Sequence, residues 1–346
     1  MAASGEPRVV SLTEPQTEVR FRFGRTAMNT LACRVLFGFI LTASSTAVVS
    51  AQGVPVAQDF RVTLLGTGTP VARVERFGPS TLVEVGNQKL IFDVGRGATI
   101  RLNQVGVSLR DVTAVFVTHL HSDHVNGLSD LWLTRWLPGA GGGADTPFRV
   151  FGPLGTREMM SNLEKAHHAD IRIRTADQQL PASGIRVDAT DVSEGVVYDR
   201  EGVRVTVFDV DHGEEIKPAL GYRVDYRGSS VVMSGDTRPS TNLVKYAKGA
   251  TVIIHEVMAG PADPGDQQRR KILAHHTTPE QAGRVFADTS PRLAVFSHII
   301  LAGDSEAELI RRTRSAYSGA LEVGSDLMTI EVDNVPRVTR RNAAPR

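Results

Sequence analysis

The sequence predicts an α/β fold in which two β-sheets pack face to face and helices cover the outer faces, a four-layer αββα sandwich. Three observations lead to this prediction. Apolar, β-branched runs without charges recur as buried strands, and helical segments separate several of them. Histidine and aspartate repeatedly follow the ends of these runs. With 346 residues and 41% apolar composition, the chain is long enough for one large domain, placed at residues 58–335.

The first 51 residues are predicted to lie outside this domain. Val35–Val48 is an apolar run of 14 residues that follows Arg34, and small residues occupy the cleavage position at 49–51. A membrane span needs ~20 apolar residues. We therefore predict a secretion signal at about residues 28–51, a mature start near residue 52, a periplasmic or secreted location and no stable membrane span. An anchor that tethers the chain to a membrane is the alternative.

The only cysteine, Cys33, lies in this leader, so the mature chain would contain neither a disulfide nor a thiolate ligand. Met1 would make the leader unusually long, which favours Met28 as the start. The first 51 residues contribute five arginines and three acids to a net charge of +1, which leaves −1 for the remainder. That body lacks the basic excess expected of a nucleic-acid-binding protein.

The domain begins with strand Phe60–Leu65 and a predicted hairpin of two further strands, Thr81–Val85 and Lys89–Phe92. Asp93 then opens a glycine-rich corner before helix Ala98–Val105. Two interpretations of Asp93 are open: a turn former or helix cap, or an acid that holds a ligand histidine in one tautomer.

A histidine-rich segment, Thr118–His124, follows the buried strand Val112–Val117 and precedes the helical run Val125–Leu137. It places three imidazoles and a carboxylate within six residues. We call it the metal loop, because one side would present His119 and His121 and the other Asp123 and His124, enough to serve two metal ions. Imidazole and carboxylate without thiolate suit zinc.

The middle of the chain alternates predicted strands and loops. The glycine-rich segment Pro138–Pro147 is predicted to be a mobile lid on the site side. The neighbours His167 and His168 face different sides of the predicted helix Thr156–Ala169, so we predict that neither is a ligand. Strand Phe148–Phe151 precedes that helix, and a three-stranded meander follows it at Ile185–Val187, Gly195–Tyr198 and Val203–Val210.

Three later strands each end in a candidate ligand. His212 follows the meander, and Asp236 follows the hairpin Leu220–Val224 and Ser230–Met233. As an alternative, Asp236 could cap the helix that starts near Pro239. His298, the third candidate ligand, follows strand Leu293–Phe296. Before this strand we predict strand Thr251–Ile254, followed by His255-Glu256, a polar loop at 259–268 and helix Glu280–Ala287. After it we predict helix Glu306–Tyr317, strand Leu327–Val332 and a disordered basic tail at 336–346.

The segment His119-x-His121-x-Asp123-His124 resembles the signature of the metallo-β-lactamase superfamily. Leu64–Pro70 and Ser234–Arg238 are similar to its ribonuclease Z and arylsulfatase-like branch, and the resemblance extends from about Val62 to Ile300. It implies the metallo-β-lactamase fold and two zinc ions. His119, His121 and His212 would hold one ion, Asp123, His124 and His298 the other, and Asp236 would bridge them; Mn²⁺ or Fe²⁺ also suits the second site.

Two zinc ions would share a water and supply hydroxide at neutral pH to attack an electrophilic centre. The segment His276-x-Thr278-x-x-Gln281-Ala282 is similar to the histidine motif that assists catalysis in ribonuclease Z. We therefore predict His276 as the proton donor, oriented by Glu256, with Asp123 as a further catalytic residue and His275 as a bystander. A solvent-exposed His276 at a helix start is the alternative.

Ribonuclease Z carries a long arm that grips transfer RNA, but here Tyr222 and Asp236 are only 14 positions apart. With the leader and the nearly neutral body, this favours an exported hydrolase of small phosphodiester or sulfate esters over a nucleic-acid partner. The alternatives are a β-lactamase that opens a lactam, a 3′-tRNA-processing endoribonuclease and a zinc-binding module without turnover. The resemblance also implies a homodimer.

Overall fold

Two β-sheets pack face to face, and helices cover their outer faces, which confirms the predicted αββα sandwich. The computed structural model describes residues 59–139, 141–260 and 265–340. The predicted leader, Cys33 and the last six residues lie outside these ranges. The strands are β1 (Phe60–Gly66), β2 (Ser80–Val85), β3 (Gln88–Phe92), β4 (Ala114–Phe116), β5 (Phe148–Gly152), β6 (Val187–Asp191), β7 (Gly195–Arg200), β8 (Val203–Val210), β9 (Ala219–Tyr226), β10 (Ser229–Met233), β11 (Val252–Met258), β12 (Leu293–Ile300), β13 (Leu321–Val323), β14 (Thr329–Glu331) and β15 (Arg337–Thr339).

The helices lie between these strands, and none in the described ranges is long and apolar enough to cross a bilayer. They are α1 (Ala98–Gln104), α2 (Ser122–Val125), α3 (Leu128–Trp136), α4 (Thr156–Ala166), α5 (His168–Asp177), α6 (Ala182–Ile185), α7 (Thr241–Ala247), α8 (Gln267–Leu273), α9 (Pro279–Thr289) and α10 (Glu306–Thr313), with a 3-10 turn at Leu109–Asp111. Helix α9 begins with a capping box between Thr278 and Gln281, and Pro279 is its first residue.

The first sheet has the strand order β15-β14-β1-β2-β3-β4-β5-β6, and the second has β13-β12-β11-β10-β9-β8-β7. Strands β3 to β6 run parallel to one another, as do β10 to β13. The carboxyl ends of the parallel strands in each sheet therefore lie at one edge, where their following loops can meet. We call this the site edge.

Three apolar layers hold the sandwich together. One lies between the sheets and contains side chains of both, such as Val62, Phe116 and Val295. The second lies between the first sheet and helices α1, α3 and α4, and the third lies between the second sheet and helices α7, α9 and α10. Burial of these side chains accounts for the uncharged strands in the sequence.

The predicted meander is wrong in its first strand. β6 pairs in parallel with β5 and ends the first sheet, whereas β7 and β8 pair in the second sheet. Val187 and Ala189 of β6 pack into the apolar layer between the first sheet and its helices. This burial stabilises β6 at the edge of the first sheet. The sequence of a short strand does not indicate which sheet the strand joins. The passage of the chain from the first sheet to the second between β6 and β7 was therefore not predicted.

The predicted lid at Pro138–Pro147 lies at the edge opposite the site. This segment precedes β5, and the amide of Arg110, which precedes β4, donates to the carbonyl of Gly141 at 3.0 Å. Helix α3 runs from the site edge to the opposite edge, and the segment follows its last residue, Trp136. Buried Arg135 donates to the carbonyl of Thr146 at 2.8 Å and holds the segment down.

The predicted disordered tail at 336–346 is wrong over Arg337–Thr339, which form β15. Arg337 pairs with Glu331 of β14 at 2.9 Å, and Val338 packs against the core between the sheets. The two long predicted helices are each interrupted, at Asn126–Gly127 and at His167. Helix α8 and strand β13 were not predicted.

Candidate metal centre

The seven predicted ligands converge at the site edge, although they come from both sheets. The metal loop follows β4, His212 follows β8, Asp236 follows β10 and His298 lies near the end of β12. The Oδ2 atom of Asp236 lies between four imidazoles. Its distances to their Nε2 atoms are 3.3 Å for His298, 3.4 Å for His124, 3.8 Å for His212 and 3.9 Å for His119.

The side chains of the centre form several overlapping groups, two of which have the members of the predicted partition. Candidate ligand atoms of His119, His121 and His212 lie within 4.8 Å of one another, and so do those of Asp123, His124 and His298. Asp236 lies within the same distance of His119 and His124, one from each group. Asp236 also forms a group with His212 and His276, and Glu256, His276 and His298 form another.

Unsatisfied nitrogen atoms test whether a metal fits this arrangement. The Nε2 atoms of His119, His124 and His212 are buried without a hydrogen-bond partner. Each ring instead uses Nδ1, which contacts Thr118 Oγ1, Asp93 Oδ2 and the His275 carbonyl respectively. Buried polar atoms rarely lack partners, and ligand histidines commonly donate from the other nitrogen. The site is therefore built for a divalent metal, and its nitrogen and oxygen donors suit zinc.

The pKa values of His119, His212 and Asp236 support the same conclusion, whereas that of His124 is shifted the other way. Burial lowers the pKa of His119 and of His212, which favours the neutral imidazole that a metal requires. Burial alone would raise the pKa of Asp236, but the surrounding imidazoles hold the pKa of this carboxyl well below its usual range. At His124 burial acts against the protonated form, but the Asp236 and Asp93 carboxylates outweigh it and raise the pKa well above its usual range, so a metal at Nε2 would displace a proton from this ring.

Asp93 contacts a ligand histidine, as one of its two interpretations predicts. Its Oδ2 atom lies 2.8 Å from Nδ1 of His124, and its Oδ1 atom accepts the backbone N–H of Thr118 at 2.8 Å. Asp93 has φ of 58° at the end of β3, so the turn also forms there. The alternative for Asp236 is wrong, because Ser240 caps α7.

Close backbone approaches shape the centre. A Cβ on Gly235 would lie 2.5 Å from the Leu220 carbonyl and 3.1 Å from Cβ of Thr118, and Gly235 has φ of +60°. Only glycine lets the strand end before Asp236 approach the metal loop so closely. At His298, φ is 45° and the β11–β12 register shifts, so a bulge re-aims this histidine within a strand that continues to Ile300.

His276 lies beside the centre and is buried, which argues against the solvent-exposed alternative. Its Nδ1 atom is 3.2 Å from Oε2 of Glu256, and its ring centroid is 5.8 Å from that of His298. Burial acts against the protonated form, but the Glu256 carboxylate outweighs it and raises the pKa of His276 to about 9. The other Glu256 oxygen accepts the backbone N–H of Thr277 at 2.9 Å.

Two contributors escaped the sequence analysis. Thr118 hydrogen-bonds to Asp93 and approaches two ligand histidines; its place directly after a buried strand was the available signal. His275 contributes through its carbonyl, which accepts from Nδ1 of His212 at 2.9 Å, and no sequence pattern marks a backbone contact. His167 and His168 lie at the α4–α5 junction and take no part in the centre, as predicted.

Comparisons with known proteins identify the family and the fold. Residues 92–299 match the family described as "Beta-lactamase superfamily domain". The chain is 35% identical over 275 residues to "Ribonuclease Z" of Mycobacterium sp. (strain KMS), covering 78% of this chain and 95% of the relative. Human tRNase Z, short form, superposes with a TM-score of 0.60 at 20% identity over 79% of this chain and 99% of its own. The metallo-β-lactamase fold protein YhfI from Bacillus subtilis also gives 0.60, at 15% identity, over 78% and 98% of the two chains.

Proposed function

The chain belongs to the ribonuclease Z family within the β-lactamase superfamily of metal-dependent hydrolases, and on that premise we propose that it is an exported two-zinc phosphodiesterase. The observation that carries the proposal is Asp236, whose Oδ2 atom lies 3.3–3.9 Å from imidazoles of both ligand groups. A carboxylate in this position suits two cations close together. The seven predicted ligand roles and the number of ions belong to this proposal.

When bound, two zinc ions would lower the pKa of water and neutralise the negative charge that develops on the ester. The residues of the chain supply the remaining steps. His276, with a pKa of about 9, is protonated at neutral pH and can donate a proton to the leaving-group oxygen. Glu256 acts as a positioning residue, because its carboxylate faces Nδ1 of His276 at 3.2 Å and leaves Nε2 for the substrate.

RNA is the substrate class that the relatives suggest. The expectation of small esters rested in part on the missing arm between Tyr222 and Asp236, where the structure has only the β9–β10 hairpin. The Mycobacterium relative aligns over 95% of its length with an aligned length close to the matched part of this chain, so it has no room for a long arm either. A short hairpin therefore does not separate RNA from smaller phosphodiesters.

An arginine-bearing rim favours a polyanion over a small ester with a single negative charge. The β1–β2 loop separates two clefts of about 460 and 400 Å³, which border the residues after His298 and the corner after Asp93. Arg73 on its tip has no hydrogen bond or ion pair with any described residue, and Arg96 has only a 3.5 Å contact to a carbonyl. Neither guanidinium group has an ion pair with a described residue, so both are available to bind phosphate groups of a longer substrate.

A substrate panel tests the proposal. The zinc-loaded full chain would be given an RNA with a 3′ extension, bis(4-nitrophenyl) phosphate, 4-nitrophenyl sulfate and a chromogenic cephalosporin. We expect hydrolysis of the phosphodiesters and its loss in Asp236→Ala. RNA cleavage that weakens in Arg73→Ala and Arg96→Ala, with little change for the small ester, supports the ribonuclease assignment. Arg204→Ala, far from the centre on β8, is the control.

Other outcomes assign a different activity. Turnover of the sulfate alone would indicate an arylsulfatase, and turnover of the cephalosporin alone a β-lactamase. Two bound zinc ions without turnover of any substrate would leave the non-catalytic zinc-binding module. The homodimer implied by the resemblance stays a prediction, to be measured by sedimentation of the same preparation.

A further inference from the structure

One carboxylate reaches both ligand groups of the proposed centre. The Oδ2 atom of Asp93 lies 2.8 Å from Nδ1 of His124 and accepts the Thr118 hydroxyl at 2.9 Å. The same Thr118 hydroxyl lies 3.0 Å from Nδ1 of His119. His119 and His124 belong to different ligand groups, so Asp93 contacts one group directly and the other through Thr118.

The protons in this cluster have one arrangement that serves both metals. A carboxylate only accepts, so the Thr118 hydroxyl gives its single proton to Asp93. Its oxygen then accepts from Nδ1–H of His119, and Asp93 accepts from Nδ1–H of His124. Both rings are thereby held in the tautomer whose Nε2 lone pair faces the centre. If the hydroxyl instead donated to His119, that ring would carry its proton on Nε2 and could not bind a metal there.

Water cannot replace these contacts, because all four side chains are buried. Exposed fractions are 1% for His119 and His124, 2% for Thr118 and 6% for Asp93. A lost hydrogen bond would therefore leave a buried N–H without a partner. The backbone N–H of Thr118 also donates to Oδ1 of Asp93 at 2.8 Å, so the carboxylate stays in place when only the hydroxyl is removed.

We propose that Asp93 and Thr118 form a positioning pair that couples the two metal sites, with Thr118 carrying the influence of Asp93 to His119. This inference rests on the proposed two-zinc centre. Loss of the Thr118 hydroxyl weakens the metal held by the His119 group and spares the other. Loss of the Asp93 charge weakens both. His124 then loses the acceptor of its Nδ1–H, and the Thr118 hydroxyl, which faces His119, loses the carboxylate that orients it.

The test measures metal binding rather than activity. Metal-free full chain is titrated with Zn²⁺ by calorimetry and with Co²⁺ by visible absorption. For Thr118→Val we expect one of two binding steps to weaken ~10–100-fold and the Co²⁺ spectrum of that site to change, whereas Asp93→Asn weakens both steps by a similar factor. Thr118→Ser, which keeps the hydroxyl, restores both steps.

Thr63→Val is the matched control, because Thr63 is also 2% exposed and its hydroxyl contacts only Thr329 in the first sheet. Thr118→Ala serves as a second variant if Thr118→Val does not fold. Two wild-type binding steps in Thr118→Val or Thr118→Ala would overturn the coupling while the proposed function stands. Fewer than two steps in the wild-type protein would overturn the two-zinc centre itself, and the coupling with it.

Discussion

At the scale of single residues, the centre depends on how each polar atom is partnered. The three orphaned Nε2 atoms indicate a metal because their Nδ1 neighbours are already satisfied. His276 resembles His124 in that a carboxylate faces its Nδ1 atom, Glu256 for the one and Asp93 for the other. The proposed roles differ because His276 lies outside the two predicted ligand groups, and its role as a proton donor leads to two predictions.

Replacing His276 by alanine should lower kcat ~10²–10⁴-fold for a phosphodiester with an alkoxide leaving group, because general acid catalysis is lost. The loss should be smaller for bis(4-nitrophenyl) phosphate, whose leaving group needs little protonation. Steady-state kinetics on both substrates measure this difference, with zinc content checked in each variant. His168→Ala, on a helix without buried residues, is the control. Equal losses for both substrates would argue against a proton donor.

Replacing Glu256 by glutamine should shift the pH profile of kcat. Glu256 raises the pKa of His276 to about 9, so the protonated donor persists up to that pH and activity falls as pH rises through it. Without the carboxylate the pKa falls, and the alkaline limb of the profile should move to lower pH. Rates measured from pH 6 to 10 test this, and an unmoved limb would assign it to another group.

At the scale of elements, the β1–β2 loop is fixed at its base and free at its tip. Asp326 accepts the backbone N–H groups of Thr67 at 2.9 Å and Phe77 at 2.7 Å, and the Arg101 side chain at 2.8 Å. Both ends of the loop are thereby anchored to the turn before β14. The exposed tip between them carries Arg73 to the rim of the clefts.

Replacing Asp326 by alanine should lower the free energy of unfolding by ~1–3 kcal/mol, because the backbone N–H groups of buried Thr67 and half-buried Phe77 lose their acceptor. Glu331→Ala removes an exposed ion pair with Arg337 and should cost less than ~1 kcal/mol. Urea unfolding of the two variants provides the comparison. Equal effects would show that the loop base does not depend on Asp326.

At the scale of the whole molecule, the centre joins the two sheets. The metal loop belongs to the first sheet, while His212, Asp236 and His298 belong to the second. A metal ion bound by both sides would cross-link the sandwich at the site edge. Its binding free energy would then add to the stability of the fold.

Removing the metal with a chelator should therefore lower the Tm. Zinc at 100 times its Kd stabilises by ~2.7 kcal/mol, and restoring zinc should restore the Tm. Differential scanning calorimetry with and without chelator measures the shift. Asp236→Ala should abolish most of the response, and a full zinc response in that variant would show that the metal binds elsewhere.

Export is the second prediction at this scale, and it rests on residues outside the described ranges. Processing of a secretion signal should give a mature chain that starts near residue 52. Amino-terminal sequencing of the protein from the periplasm or medium of an expressing bacterium tests this. A chain that begins at Met1 or Met28 and stays with the cytoplasmic fraction would contradict it.

The sequence by itself determined the fold class, the metal loop and the strand ends that carry His212, Asp236 and His298. These features are local, since uncharged runs indicate buried strands and neighbouring histidines indicate a metal whatever the rest of the chain does. Only the tertiary structure decided which residues meet across the sheets: Thr118 with two ligand rings, the His275 carbonyl with His212, and Asp326 with the β1–β2 loop. It also placed Pro138–Pro147 at the wrong edge for a lid and β15 in the first sheet. Such contacts join positions far apart in the chain, and their partners are set by strand order and direction, which short strands do not encode.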